Sequence, residues 1–263
     1  MEIQLLSSDK KKNKMSFILK GADPAFANAI RRCAIEEVQT MAIDDVEFRK
    51  NSSAFYDEMI AHRLGLVTLT TDLKTYNLPE NCKCNGEGCA RCSLKMTLKS
   101  SGPWQVYASE LKSKDPKVKP VFGDTPIVKL LKGQKLELEV TAVLGKGKSH
   151  MKWSPGLVYY KYMPEVKIGE VKNAEEIAKA CPPGVFEVKE GKLFVNKDEL
   201  LKHDLAGMAE KVSGGAVTIE ENPEEFVFCV ESWGQLDCKE IIEQAAQEFE
   251  SQLEEFGKLI KEK

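Results

Sequence analysis

Four of the chain's eight cysteines lie within eleven residues, in the pattern Cys82-x-Cys84-x4-Cys89-x2-Cys92. The residues between them include two glycines and no large apolar side chain. Such a segment buries too little apolar surface to fold by packing alone, and two close pairs of thiolates are ligands that tetrahedral zinc takes from a short loop. The pattern predicts one Zn²⁺ held by the four cysteines. A pair of disulfides and a free-thiol redox switch are the alternatives.

Bulk composition limits the partners of the chain. Its 263 residues carry a formal net charge of −3, so the whole molecule is not a nucleic-acid-binding polycation. The sequence contains no run of about 18 apolar residues, so no membrane span is predicted. The first residues lack the pattern of a secretion signal. We therefore expect a cytoplasmic protein with reduced thiols, which favours zinc over disulfides. The abundance of Lys and Glu resembles the composition of thermophile proteins.

The first 40 residues predict a β-hairpin followed by a helix. Apolar and polar side chains alternate at residues 3–5 and 15–19, on either side of a lysine-rich turn. Asp23 is a suitable N-cap, and Pro24 suits the first helical position. An apolar face then recurs at every fourth residue, at Phe26, Ile30, Ala34 and Val38.

From residue 41 to residue 144 the pattern is mainly that of β-strands. Residues 55–64 are an exception, because they predict a short helix. The clearest alternation in the chain is at Leu136, Leu138, Val140, Ala142 and Leu144. These patterns are typical of half-buried strands in a mixed or antiparallel sheet.

A basic loop follows at residues 145–155, and residues 158–162 predict a further strand behind it. Backbone amides and lysines in a Gly/Lys loop can bind phosphate, although the GxxxxGK[ST] spacing of a P-loop is missing. Residues 167–221 then predict a small inserted module, with helices at 174–180 and 197–211 around a hairpin at 185–195. Gly169 and Asn222-Pro223 mark its edges.

The C-terminal segment predicts a strand at 226–230 and a long amphipathic helix at 236–263. The apolar positions of the helix are Ile242, Ala245, Phe249, Leu253, Phe256 and Ile260. A helix of roughly 25 residues spans nearly 40 Å, which is more than one small domain needs. We therefore expect part of this stripe to contact another chain. Docking of the stripe on the chain's own sheet is the alternative.

Catalytic motifs are missing from the sequence. The three histidines are His62, His150 and His203, and none of them falls in an HExxH or H-x-E pattern. No GxSxG, P-loop or GxGxxG motif is present. These absences argue against a self-contained enzyme.

Two segments resemble signatures of the α-type assembly subunits of cellular RNA polymerases. Asn28-Ala29-Ile30-Arg31-Arg32 is similar to the N-A-[LI]-R-R signature, and Ala61-His62-Arg63-Leu64-Gly65 is similar to the A-H-R-[LI]-G signature. The cysteine cluster and residues 147–155 resemble the archaeal and eukaryotic branch of that family, and most closely its archaeal D-type members. The resemblance covers essentially the full length, in the expected order.

This resemblance implies an α+β fold in three parts. A discontinuous, α-subunit-like dimerisation domain, made of a hairpin and two helices, takes residues 1–40 and 224–263. A β-rich insert domain takes residues 41–166 and carries the cysteine knuckle at 82–92. A small ferredoxin-like α+β module takes residues 167–223.

The resemblance also implies the role of a non-catalytic assembly subunit of DNA-directed RNA polymerase, a nucleotidyltransferase whose chemistry takes place in other chains. In that family the subunit forms a heterodimer with a small α-like subunit, L. The pair forms a platform with subunits N and P that docks the large catalytic subunits, and DNA is met only through the complex. The implied partner-interface residues are Phe26, Ile30, Arg31, Arg32, His62, Arg63, Ile242, Phe249, Leu253 and Phe256.

The sequence departs from many archaeal D-type proteins at the extra module, where those proteins hold an iron–sulfur cluster. Cys181 is the only cysteine between Cys92 and Cys229. Because a cluster needs about three or four thiolates, we expect a module without one.

Two other functions fit parts of the sequence. A stand-alone zinc-knuckle protein that binds nucleic acid would use Lys83 and Arg91 with the basic loop, although the knuckle has no aromatic residue for base stacking. A thiol redox enzyme would use the CxxC at Cys89 and Cys92, which has no βαβ pattern around it.

Overall fold

The structure is a computed structural model, and it describes residues 1–171, 173–201 and 208–261. The chain forms two compact units. The first unit comprises Met1–Ser8, Ser16–Asn28 and Tyr159–Cys229. The second unit comprises Asp9–Met15, Ala29–Val158 and Val230–Lys263.

Helices and strands are mixed along the chain, so the predicted α+β class is confirmed. The strands are β1 (Glu2–Asp9), β2 (Lys14–Lys20), β3 (Gln39–Asn51), β4 (Ser93–Ser101), β5 (Trp104–Tyr107), β6 (Lys112–Ser113), β7 (Pro126–Leu130), β8 (Lys135–Lys146), β9 (Gly156–Ile168), β10 (Phe186–Lys189), β11 (Lys192–Val195) and β12 (Val217–Ser232). The α-helices are α1 (Pro24–Glu36), α2 (Asp57–Gly65), α3 (Ala174–Ala180), α4 (Lys197–Leu200), α5 (Met208–Ser213) and α6 (Cys238–Lys261).

Most residues of the sheet with the order β1-β2-β12-β9 lie in the first unit. The predicted N-terminal hairpin is confirmed as β1 and β2. Aromatic rings fill the middle of this sheet. Phe17 stacks on Phe228 with ring centroids 5.1 Å apart, and the rings of Tyr160 and Phe226 meet edge to face with centroids 5.3 Å apart. Such offset and edge contacts stabilise a core beyond the area that they bury.

Helix α1 begins where its capping residues predict. The carboxylate of Asp23 accepts a hydrogen bond of 2.7 Å from the backbone N–H of Phe26, which satisfies one of the unpaired donors of the first turn. Ile30 and Ala34, from the predicted apolar face, are buried, and so is Ala27 beside them. The predicted helix and its buried face are therefore confirmed.

The second unit is built on an antiparallel sheet with the order β3-β8-β4-β6. The predicted alternation along β8 places its five apolar side chains inward, each no more than 2% exposed: Leu136, Leu138, Val140, Ala142 and Leu144. Leu98 on β4 pairs with Leu138, and Met96 pairs with Val140. Helix α2 covers this core with Ile60 and Leu64, both fully buried.

The predicted module contains the expected hairpin, β10 and β11, after helix α3. Its own small core includes Ile177, Val185 and Leu193. Of the helix predicted at 197–211, the structure describes α4 and α5; residues 202–207 lie outside the described part.

Strand β12 was predicted to begin at residue 226, but it begins at Val217 and runs through Asn222 and Pro223. Asn222 and Pro223 are ordinary turn signals. Here the side-chain amide of Asn222 donates to the carboxylate of Glu165 at 3.0 Å, and its oxygen accepts from the N–H of Glu224 at 3.0 Å. These hydrogen bonds accompany an extended chain at the position where the sequence suggests a turn.

Candidate metal centre and partner-binding surfaces

The cysteine knuckle is a series of tight turns between Pro79 and the start of β4. Asn85 and Gly86 have positive φ values of 51° and 84°, which reverse the chain between the first and second pairs of cysteines. In the second pair, the N–H of Cys92 donates to the carbonyl of Cys89 at 3.0 Å. The turns bring both pairs of thiols to one point.

The four sulfurs form a compact group. Cys82 Sγ lies 3.5 Å from Cys89 Sγ, and Cys84 Sγ lies 3.4 Å from Cys92 Sγ. All four lie within 4.8 Å of one another, and none forms a disulfide. Sulfurs bound to tetrahedral zinc at about 2.3 Å are separated by about 3.8 Å. The donor set therefore fits a tetrahedral thiolate-bound metal ion, and the four predicted ligands are brought together.

The thiols differ in their electrostatic surroundings. A backbone hydrogen bond from Cys89, together with the Cys92 thiol, lowers the pKa of Cys84 to about 6. Burial raises the pKa of Cys92 to about 12. Because the thiolate is the form that binds a metal, Cys84 is more readily prepared for binding than Cys92.

A set of polar contacts at the base of the knuckle was not foreseen from the sequence. The N–H of Asn77 donates to the carbonyl of Arg91 at 2.8 Å, closing the loop. Next to it, the buried Tyr76 donates its hydroxyl to Asp115 at 2.9 Å, and Lys117 reaches Asp72 at 2.8 Å. Tyr76 and Asp115, like Asp72 and Lys117, are about 40 residues apart in the sequence, so no local pattern signals these two contacts.

The C-terminal helix α6 is buried at its start and exposed at its end. Ile241 and Ala245 are fully buried, whereas the predicted Ile242 and Phe249 are half-buried. Four apolar side chains in the last nine residues of the helix are each more than half exposed: Leu253, Phe256, Leu259 and Ile260. We call these four residues the exposed stripe; Leu259 is not among the apolar positions predicted from the sequence.

The interface residues predicted on α1 are divided between interior and surface. Ile30 is buried, and Phe26 and Arg31 are half-buried. Arg32 is exposed and pairs with Glu36 at 3.1 Å, one turn later in the helix.

The interface residues predicted on α2, His62 and Arg63, are both exposed. Arg63 also has an internal role: it donates to the carbonyl of Pro126 at 2.6 Å, and its guanidinium carbon lies 5.9 Å from the ring centroid of Phe55. Arg63 thus fastens α2 to β7. Two neighbouring apolar side chains, Tyr56 and Met59, are also exposed, although no sequence signal predicts them as interface residues.

The basic loop after β8 is paired with carboxylates within the chain. Lys148 lies 3.6 Å from Glu37, and Lys152 lies 2.6 Å from Asp44. Lys146 contacts two carboxylates at 2.9 and 3.1 Å. These internal partners use the charge that a phosphate would need, so the zinc-knuckle nucleic-acid-binding alternative is not favoured.

The histidines show no shared site among the described residues. His150 accepts a hydrogen bond from the N–H of Lys152 at its Nδ1, and His62 lies on α2. His203 lies outside the described residues. Within the described part of the chain, no helix is long and apolar enough to cross a membrane.

Comparison with known proteins gives a consistent result. Residues 41–156 match the family model described as the RNA polymerase Rpb3/RpoA insert domain. The DNA-directed RNA polymerase subunit Rpo3 of Archaeoglobus fulgidus is 38% identical over 263 residues, covering 99% of this chain and 98% of that protein.

Two further relatives have the same printed name. The Rpo3 subunit of Methanosarcina acetivorans is 36% identical over 97% of this chain and 96% of its own length. That of Pyrococcus furiosus is 39% identical over 92% of this chain and 90% of its own length. The similarity therefore extends well beyond the matched insert domain.

Proposed function

The chain belongs to the Rpo3 family of DNA-directed RNA polymerase subunits, and on that basis we propose that it is a non-catalytic assembly subunit of that enzyme. Its task is to hold other polymerase subunits together, while nucleotide transfer takes place in the large subunits. The observation that carries this proposal is similarity over nearly the full length of relatives with this one name. The absence of catalytic motifs in the sequence agrees with it.

The proposed first partner is the small α-like subunit L. The exposed stripe of α6 supports this, because four large apolar side chains on the surface of one helix end are costly to leave in water. A helix with such a stripe is well suited to pack against another helix. In this proposal Phe249, Leu253 and Phe256 contact subunit L, with Ile242 at the edge of the interface.

Further contacts are proposed for the two helices that carry the family signatures. Phe26, Ile30, Arg31 and Arg32 on α1 support the shape of the platform and its docking face. His62 on α2, beside the exposed Tyr56 and Met59, faces a large subunit. Arg63 contributes by fixing α2, as its bond to Pro126 supports. Subunits N and P complete the platform.

The proposed domain division follows the same family pattern. The dimerisation domain takes residues 1–40 and 224–263, the insert domain takes 41–166, and the ferredoxin-like module takes 167–223. The family match at 41–156 begins at the first residue of the proposed insert and covers most of its length, which supports this part of the division. The module is proposed to keep its shape without an iron–sulfur cluster, since Cys181 is its only cysteine.

We propose that the four knuckle cysteines hold one structural Zn²⁺. The group of four thiols within 4.8 Å supports this, since four thiolates without an open position are typical of structural sites. The ion would replace the hydrophobic core that the knuckle lacks. We also propose that the protein works in the cytoplasm.

Co-expression with the L-type subunit of the same organism tests the proposed function. We expect a one-to-one heterodimer, measured by light scattering after size-exclusion chromatography. Two separate, unassociated chains would contradict the assembly role.

A further inference from the structure

One lysine of the basic loop joins three parts of the second unit. Lys146 is the last residue of β8, and its Nζ lies 3.1 Å from a carboxylate oxygen of Glu37, just after α1. The same Nζ lies 2.9 Å from a carboxylate oxygen of Glu248, in the middle of α6. A single ammonium group thus connects a strand end, a helix end and a second helix.

Backbone contacts hold this lysine in place. The N–H of Lys148 donates to the carbonyl of Glu36 at 2.9 Å. A Cβ on Gly147 would lie 2.1 Å from the carbonyl oxygen of Ile35, so the loop can approach the end of α1 this closely only with glycine at that position. The loop is therefore packed directly on the last turn of α1.

The second carboxylate is held from two sides. Gln39 at the start of β3 donates its side-chain amide to the other oxygen of Glu248 at 3.1 Å. The side chains of Lys146, Glu37 and Glu248 are only 26%, 13% and 22% exposed, respectively. Most other ion pairs of the described residues have at least one partner more than half exposed. Partial burial reduces screening by water, so this group of charges interacts more strongly than a surface pair.

The electrostatics agree with the geometry. Burial acts to raise the pKa of Glu37, but the hydrogen bonds and charges of Lys146 and, to a smaller extent, of Lys148 outweigh it, and the pKa of Glu37 is lowered. Glu37 therefore stays ionised in its partly buried position.

The position of Glu248 on α6 divides the helix. Before it, Ile241 and Ala245 are fully buried. After it, no described residue of the helix is buried, and the exposed stripe begins within two turns. The contact with Lys146 lies at the boundary between the docked half and the exposed half.

We propose that Lys146 is a positioning residue for partner binding, because it fixes α6 at Glu248 and so sets the direction in which the exposed stripe is presented. This inference rests on the proposed assembly function. A helix held at this boundary loses less conformational freedom when a partner binds, and such preorganisation strengthens binding. In this proposal the basic loop joins the end of α1 to α6 within the chain, through the contacts of Lys146 with Glu37 and Glu248.

The test compares Lys146→Met with Lys148→Met in the full chain. Lys148 is in the same loop and is a matched control, because it is 71% exposed and its ion pair, at the longer distance of 3.6 Å, is with Glu37 rather than with Glu248 on α6. Affinity for the L-type subunit is measured by titration calorimetry, and backbone amide exchange of α6 by mass spectrometry. We expect Lys146→Met to weaken binding on the order of ten-fold and to speed exchange around Glu248, with little effect in the control.

Other variants separate positioning from general loss of structure. Lys146→Arg keeps the charge and should retain most of the affinity. If Lys146→Met does not fold, Glu248→Gln removes the same ion pair, and Glu250→Gln on the exposed side of α6 is its control. Unchanged affinity in Lys146→Met or Glu248→Gln would overturn the inference while leaving the assembly function intact. Failure of the wild-type chain to bind the L-type subunit would overturn both.

Discussion

Cys84 Sγ lies 3.4 Å from Cys92 Sγ. Cys84 is half-buried, whereas Cys92 is buried beside the start of β4. Their surroundings shift the two pKa values in opposite directions, to about 6 and about 12. A bound divalent metal would remove this difference, since every ligand would then be a thiolate. The pair connects the outer turn of the knuckle to the sheet.

Metal content is the first prediction. We expect about one Zn²⁺ per chain, lost in Cys92→Ser because three thiolates no longer close the tetrahedron. Cys181→Ser is the control, as Cys181 is equally a buried cysteine but lies in the separate module. Metal analysis of the purified variants measures both. Equal zinc in the two variants would contradict the proposed ligand set.

The dependence of stability on acidic pH tests the ion pair between Asp72 and Lys117 at the base of the knuckle. A hydrogen bond from Lys117 and a smaller contribution from the hydroxyl of Thr75 lower the pKa of Asp72 from 3.8 to about 2. As pH falls, the unfolded state binds the proton first, so the stabilisation by this carboxylate is full above about pH 4 and is lost towards pH 2.

Denaturant unfolding of the wild type and Asp72→Asn measures this effect. The difference in unfolding free energy between them should be constant near neutral pH and shrink below about pH 4. Asp124→Asn, at an exposed carboxylate, is the control. A difference that does not change with pH would show that the charge of Asp72 has no part in stability.

The paired leucines of the insert give a prediction on stability. Leu98 faces Leu138 across the strands, and both are at most 2% exposed. Leu98→Ala should lower the unfolding free energy by about 2–5 kcal/mol, because it removes buried methyl groups and leaves a cavity. The neighbouring Lys99→Ala, on the exposed face, should change it by less than about 1 kcal/mol. Equal effects would contradict the assigned face of β4.

The exposed stripe gives a prediction on assembly. Phe256 is 61% exposed in the isolated chain. Phe256→Asp should weaken binding of the L-type subunit by about 30-fold or more, as loss of an aromatic anchor does at an interface. Phe249→Asp combined with it should abolish pairing.

Ser251→Asp is the matched control for the stripe. Ser251 is exposed on the same helix but five residues from Phe256, and so lies on another face. It should bind like the wild type. If Phe256→Asp also binds like the wild type, the stripe has no role in pairing.

The local parts of the fold were predictable from the sequence. The alternation along β8 and the capping pair Asp23-Pro24 correspond directly to a buried strand face and a helix start, because period and cap chemistry act over a few residues. The cysteine spacing identified the candidate metal ligands for the same reason.

Contacts between distant residues were not predictable. The Gly/Lys composition around Lys146 is compatible with phosphate binding, but its partner Glu248 lies 102 residues away. Arg63 similarly uses a carbonyl 63 residues away. At the start of α6 the fully buried residue is Ile241 rather than the predicted Ile242.

Affinity purification of the tagged chain from the cells that produce it, followed by quantitative mass spectrometry, is the most direct test of the assembly role. We expect a small α-like subunit and the two large polymerase subunits to co-purify with the chain in a fixed ratio that survives high salt. Recovery of the chain alone, or with nucleic acid that salt removes, would contradict it.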